Sequence, residues 1–476
     1  MKLLASAFCH RCPPANGTWL LLVTTAVLGW LAVPARVESQ EPTATPPPLS
    51  APPAPPTIPP TIVVPTAPEN PSGTAGNSGA GTSGTSFLPR SARPVSGAAF
   101  VGATGCSSSM CHGGAGEKRG QWPIWSKQDA HGQDLRGTLG YPRGAFSALV
   151  LPWSNRIAAG LSIADARLSG RCTSCHAPMH GVPEESMLQT ARIDLRTEKV
   201  EMHGVTCESC HGPASNWIRS HTRTDFSHAM NVQTGMRDLR NLYVRANTCV
   251  ACHQNLDADI LAAGHKTLYF ELDSQTDAEP PHWIEKGGDW FGPQAWLVGQ
   301  AVALREISWA LTQAPNNGAN ETLLRGDMFA LAWLLDKAGP ATPVGSVGLL
   351  PSSDNNNSSN VDAGAMQTHA DELARSAARM AWDADNTRRC LSALAETRND
   401  FSSSSETGEV LRSRARRLAL ALERMVAALR TRSGDETTWK PATDELTKLF
   451  DVIGTDPEFA IDKFSSQLDR FQKAIP

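Results

Sequence analysis

Several common readings fail for want of the residues they need. No block of basic residues runs along the chain, where 43 Lys and Arg stand against 47 Asp and Glu for a net charge of −4. Nothing in that balance argues for a nucleic-acid partner. Between residues 98 and 293 there is no sustained apolar–polar alternation, so a sheet-built core is not expected there. No uncharged run near the N-terminus reaches the roughly 20 apolar residues of a full membrane span; the best, Trp19 to Val33, contains Thr24, Thr25 and Gly29. Cysteine is also scarce outside one pattern. Of 11 Cys, eight fall in four similar motifs, leaving only Cys9, Cys12 and Cys390. A disulfide framework is therefore not expected, even in a compartment that would permit one.

What is present divides the 476 residues into four parts. In residues 1–35, Lys2, His10 and Arg11 precede an uncharged stretch from Cys12 to Ala35 that closes on Val33-Pro34-Ala35. This has the layout of an export signal, either cleaved or retained as a membrane anchor. Cys9-His-Arg-Cys12 belongs to that flank and reads as a removed or membrane-flanking stretch rather than a redox or metal pair. Residues 36–97 are dominated by Pro, Thr, Ala, Ser and Gly; they cannot bury a core and read as a disordered tether. Residues 98–292 are rich in Cys, His, Trp and Gly, with short helical pieces broken by Gly and Pro. Residues 293–476 turn to helical periodicity. Segments at Gln294–Gln313, Leu323–Leu335, Asp371–Thr397, Gly408–Arg430, Leu446–Ile453 and Phe459–Phe471 predict a helical bundle, with Asp354–Asn360 as a loop. The expected fold class is mainly α with much irregular structure, a cofactor-built domain followed by that bundle. A fragment of residues 98–292 is expected to stay soluble alone. In the bundle, Cys390 reads as a buried small hydrophobe. Arg412, Arg414, Arg416, Arg417, Arg424 and Arg430 read first as a solvated charged face, and otherwise as a docking patch for an acidic partner or a membrane surface.

The chemistry lies in the cysteines. Cys172-Thr-Ser-Cys175-His176, Cys207-Glu-Ser-Cys210-His211 and Cys249-Val-Ala-Cys252-His253 are C-x-x-C-H motifs, and Cys106-Ser-Ser-Ser-Met-Cys111-His112 is a stretched version. C-x-x-C-H is the attachment motif of c-type haem. Two thiols add across the porphyrin vinyl groups, and the next residue, His, becomes the proximal iron ligand. Zinc is the rival for paired cysteines, but it does not require His directly after every second Cys. The pattern therefore predicts four covalently bound haem c groups, with His112, His176, His211 and His253 as proximal ligands. In the stretched motif either two residues loop out between the thiols, or Cys111 alone forms a thioether; both leave a haem there.

Seven other His are candidates for the sixth positions: His131, His180, His203, His221, His228, His265 and His282. A bis-His iron favours electron transfer, whereas an iron lacking a sixth protein ligand can bind a small molecule. His265, in Ala262-Ala-Gly264-His265, is the nearby downstream candidate for the haem on His253. Trp122, Trp125, Trp153, Trp217, Trp283, Trp290 and Trp296 recur around the motifs and suit either porphyrin edges or ordinary core filling. The three tyrosines, Tyr141, Tyr243 and Tyr269, lie in no recognisable motif for a tyrosine-crosslinked haem.

Gly204-Val-Thr-Cys207-Glu-Ser-Cys210-His211-Gly-Pro, with His221 downstream, resembles the third haem segment of the tetrahaem cytochrome c-554 family. Trp125 with Ala130-His131 resembles that family's Trp…Ala-His segment. The resemblance covers about residues 100–270. Such cytochromes pass electrons from hydroxylamine oxidation in nitrifying bacteria. The resemblance implies His131 as ligand of the haem on His211 and His221 as ligand of the haem on His112. It also implies a five-coordinate second haem, on His176; His180 or His203 could close it instead.

The leading expectation is an exported tetrahaem carrier, periplasmic or anchored at the outer face of the cytoplasmic membrane. It would pass electrons from a redox protein donor to a redox protein acceptor through mostly bis-His haems. The alternative is an oxidoreductase acting on nitrite, hydroxylamine or nitric oxide at one five-coordinate haem. A third reading, a subunit docked to a respiratory complex by its bundle, differs from the first only in partner.

Overall fold

In a computed structural model, the described residues are 98–476 apart from 118, 133–143, 183–185, 188–203, 286–287, 314–318, 351–360, 403–407 and 456–458. The signal or anchor (1–35), the tether (36–97), His203 and the Asp354–Asn360 loop lie outside them. All described residues belong to one compact unit. Among them no helix is long and apolar enough to cross a membrane, and the extended pairing is an isolated parallel bridge between Phe100 and Met187. The architecture is mainly helical.

The first half is built of short helices: α1 (Gln121–Lys127), α2 (Pro152–Gly160), α3 (Gly170–His176), α4 (Cys207–His211), α5 (His228–Gln233), α6 (Leu242–His253), α7 (Ala258–Ala262) and α8 (Leu272–Ala278). Its private apolar clusters are small. One gathers Phe146, Leu149, Ala158, Ala166 and Ala177, and another pairs Phe100 with Met179. So little side-chain core fits a region whose apolar volume is to come from a cofactor.

The second half is a bundle: α9 (Phe291–Gln313), α10 (Ala319–Ala338), α11 (Ala363–Ala377), α12 (Ala384–Ala395), α13 (Asn399–Ser402), α14 (Gly408–Ser433), α15 (Glu436–Thr455) and α16 (Ile461–Ala474). α9 is buried on most of its circumference, including Trp296, Leu297, Val298, Val302, Leu304 and Ile307, as a central helix must be. α6, α8, α10, α11 and α14 pack around it. The segment expected as one helix from Asp371 to Thr397 is two, α11 and α12. Asp383 starts the second by accepting from the Asn386 amide, an N-cap bond that satisfies a backbone donor left orphan at the helix start. Cys390 is fully buried, and burial pushes its thiol up to about 12.

The boundary expected at residues 292 and 293 falls in the first turn of α9, and the apolar core runs across it. Leu242, Ala246 and Val250 of α6 join the bundle cluster, as do Phe270 and Leu272. Polar bonds repeat the connection. Tyr243 Oη donates to Asp371 of α11 at 2.6 Å, and Arg305 of α9 donates to Asn247 of α6 at 2.5 Å. The arginine face of α14 is also not solvated throughout. Arg414 and Arg417 are buried, Arg416 donates to Tyr269 Oη at 2.9 Å, and Arg424 pairs with Asp273 at 3.4 Å. Arg416, Arg417 and Arg424 face the chain that leaves the fourth motif, while Arg414 lies over the Trp333 ring of α10.

A fragment of residues 98–292 would expose Leu242, Val250, Phe270 and Leu272, at roughly 2 kcal/mol each. It is therefore expected to aggregate or to bind a hydrophobic dye, and to be rescued by co-expression of residues 293–476. A monodisperse, dye-silent fragment would show that the two halves do not depend on a common core.

Candidate haem-binding site

The three C-x-x-C-H motifs end α3, α4 and α6, with His as the last helical residue in each. A helical turn brings residues three apart onto one side, so each Cys pair shares a face and the adjacent His follows at its edge. Local signals fix these turns. Thr206 and Ser209 form a reciprocal capping box at the start of α4, and Asn241 caps α6 by accepting from Tyr243 and Val244. The stretched motif instead runs through a 3-10 turn, Ala103–Cys106, and tight turns. Cys111 N donates to Ser108 O at 2.8 Å and His112 N to Cys106 O at 3.3 Å, so the extra residues are folded away between the two thiols.

The motifs come together in pairs. The Cys106 thiol lies close enough to that of Cys207 for the two to affect each other's charge, and the same holds for Cys175 and Cys252. The first pair is held by Glu208, which stands between the cysteines of the third motif. Its buried carboxylate accepts from Val101 N at 3.0 Å, Gly102 N at 2.8 Å and Ala214 N at 2.7 Å. The chain entering the first motif is thereby tied to the third. The second pair is held by Arg171, next to Cys172. It donates to Asp259 at 2.6 Å and Asp257 at 3.1 Å, in the chain that leaves the fourth motif.

The imidazoles are oriented through one nitrogen. Nδ1 bonds Gln121 Oε1 at 3.0 Å in His112, Ala145 O at 2.6 Å in His176, Trp217 O at 3.1 Å in His221 and Lys266 O at 2.8 Å in His265. In His253 it meets the Gln275 side-chain amide at 3.3 Å. In His131 it lies 3.1 Å from both Asp129 and Glu279. This is the outer-shell bonding typical of metal-bound His, which fixes the ring and leaves Nε2 for the metal. The rings also face each other in pairs. His112 and His221 have centroids 6.1 Å apart with planes 11° from parallel, and His131 and His253 have centroids 5.9 Å apart at 78°. Two imidazoles that share one metal through bonds of about 2 Å have centroids roughly 6 Å apart.

Position and charge of the remaining candidates differ. The resemblance implies His131 for the haem on His211; in the structure the His131 ring lies 5.9 Å from that of His253. This makes His131 the neighbour of the haem position for which His265 was expected. His228 uses Nε2, the iron-binding nitrogen, on Asp238 at 2.9 Å, and His180 packs on Phe146. Burial favours the neutral, ligating form of His176, His211 and His253. Burial, then the charges of His282, Arg237, His112 and His221, press His211 down to about 4. Burial, then His131, does the same for His253, again to about 4. Burial also opposes a charge on His131, but bonds to Asp129 and Glu279 outweigh it and raise its pKa to about 10. Gly204 makes the placement of His131 feasible: its φ is +92°, and a Cβ there would lie 2.6 Å from His131 O.

Residues 154–212 match the family described as "Cytochrome c554 and c-prime". Over this segment the chain is similar to c554-type cytochromes. No curated protein and no solved structure matches the chain. The c554-type segment contains the second and third attachment motifs, Cys172–His176 and Cys207–His211, and covalently bound haem c goes with that family. The residues present fit the group: thiol pairs on one helical turn, a following imidazole, and Nε2 left for iron. Bound haem would supply one-electron chemistry at its iron. The supporting residues, Glu208, Asp129, Glu279, Gln121 and Gln275, were not legible as such, because nothing in their local sequence announces which distant atom they will meet.

Two outcomes test this arrangement. Glu208→Gln replaces one carboxylate oxygen by a donor facing backbone N–H groups, and should cost about 2–3 kcal/mol, read as a lowered thermal midpoint. An unchanged midpoint would remove Glu208 from the framework. Asp129→Asn takes an anion from the ring of His131 and makes it a poorer donor to ferric iron. One haem potential should rise by roughly 60 mV, equivalent to a tenfold change in relative affinity for the two oxidation states. A spectroelectrochemical titration with all potentials unmoved would separate His131 from iron.

Proposed function

We propose that this protein is an exported tetrahaem c-type cytochrome that carries electrons between a donor and an acceptor protein. The observation that carries the reading is the facing pair His112 and His221, 6.1 Å apart, each bonded through Nδ1. The pair His131 and His253 repeats it. An iron held by two imidazoles has no position for a substrate, and its useful reaction is gain and loss of an electron. The contacts between motif cysteines, Cys106 with Cys207 and Cys175 with Cys252, support close packing of the first haem with the third and the second with the fourth. The chain's own part is to hold thiols and imidazoles in register and to exclude water from them. Export is supported by the layout of residues 1–35, since haem c is attached outside the bacterial cytoplasm. The tether in residues 36–97 would let the haem domain reach partners from a membrane anchor, if the signal is retained. The oxidoreductase reading needs an open iron, and the two facing pairs would leave none at His112 or His253.

Haem content measured as the pyridine haemochrome should be four per chain. His221→Ala should leave that number unchanged and convert one haem from low-spin to high-spin in the ferric state. A variant that stays entirely low-spin would refute His221 as an axial ligand.

A further inference from the structure

We propose that His265 is the sixth ligand of the haem carried by His176, so that the iron implied to be open by the family resemblance is closed in this chain. The inference rests on the tetrahaem reading and departs from the resemblance at one haem. Its first support is that the haem on His253 already has a partner, His131, at 5.9 Å, so His265 is not needed there.

The second support is the route by which His265 is delivered. Arg171, one residue before Cys172 on α3, grips Asp259 with two bonds, at 2.6 and 2.8 Å, and Asp257 with one, at 3.1 Å. Those carboxylates lie at the start of α7, so the beginning of α7 is clamped beside the second motif. Exposed ion pairs add little stability, but a bidentate Arg–carboxylate pair sets orientation. The other end of α7 is also held against the second-motif region. A Cβ on Gly160 of α2 would lie 3.3 Å from Ala263 Cβ, a close approach that a larger residue would obstruct. Gly264, with φ +103°, then turns the chain, and the Trp153 ring of α2 lies 6.3 Å from the His265 ring.

The third support is the state of the two rings. His176 Nδ1 is bonded to Ala145 O and His265 Nδ1 to Lys266 O, so both have Nε2 left for iron.

The test uses the full-length protein with haem attached. Dithionite-reduced wild type should shift no more than about a quarter of its haem with carbon monoxide, the share of the haem on His211, to which no sixth ligand is assigned. His265→Ala should keep four haems per chain, gain a high-spin ferric signal beyond that of wild type, and shift about a quarter more of its haem with carbon monoxide than wild type does. Added imidazole should return it to low spin. His265→Met should remain low-spin and raise the potential of one haem, because a thioether ligand favours the ferrous state. A wild type in which about half of the haem already binds carbon monoxide would overturn the proposal. So would a His265→Ala protein with four haems whose spin state and carbon monoxide shift equal those of wild type. A wild type carrying fewer than four haems would instead overturn the tetrahaem reading itself, a failure visible in the haemochrome count before any ligand is added.

Discussion

An imidazole has two nitrogens, and the arrangement of this protein depends on which one the polypeptide occupies. In His112, His131, His176, His221, His253 and His265, Nδ1 is held by a carbonyl, a carboxylate or an amide. A ring tethered this way cannot rotate freely about its own side-chain bonds, so Nε2 keeps a fixed direction. His228 shows the contrast: its Nε2 is spent on Asp238. The anchors also differ in charge. Most rings are held by neutral oxygen or amide groups, while His131 lies between two carboxylates. A uniform way of holding the ring thus coexists with local electronic differences that could set the haems apart in potential.

The framework that brings these rings together is polar more than apolar. Glu208 ties the first motif to the third, and Arg171 ties the second to the start of α7 beyond the fourth. Around them the side-chain clusters are small. That is a reasonable solution for a region in which large planar cofactors would occupy the space that leucines fill elsewhere. Where the cofactor region ends, ordinary packing takes over, and α6 takes part in both regimes: its C-terminal turn carries cysteines, and its Leu242, Ala246 and Val250 belong to the bundle.

The attachment motifs were legible because covalent chemistry demands contiguous residues in a set order. The bundle helices were legible from periodicity, with instructive exceptions. The helix expected at Leu446–Ile453 extends back to Glu436 through Pro441, a residue that normally ends helices. The long segment from Asp371 divides because Asp383 offers a cap within an otherwise helical pattern. The arginines of α14 resembled a solvated face in sequence, since helical spacing cannot reveal that Tyr269 and Asp273 come to meet them. Least legible was the pairing of imidazoles. His131 and His253 are far apart in the chain, and only the fold decides that they face each other.

The double membership of α6 bears on the order in which the protein can be made. For thioethers to form at Cys249 and Cys252, those thiols must be reachable by the attachment machinery while the adjoining Val250 is still outside the core. Residues 293–476, which complete that core, are synthesised after all four motifs. Until they close on α6, the apolar residues beside the fourth motif face solvent; once they have closed, Val250 is buried and Cys249 is partly covered. The position of the bundle at the C-terminal end therefore gives maturation a direction, with covalent loading first and compaction after it.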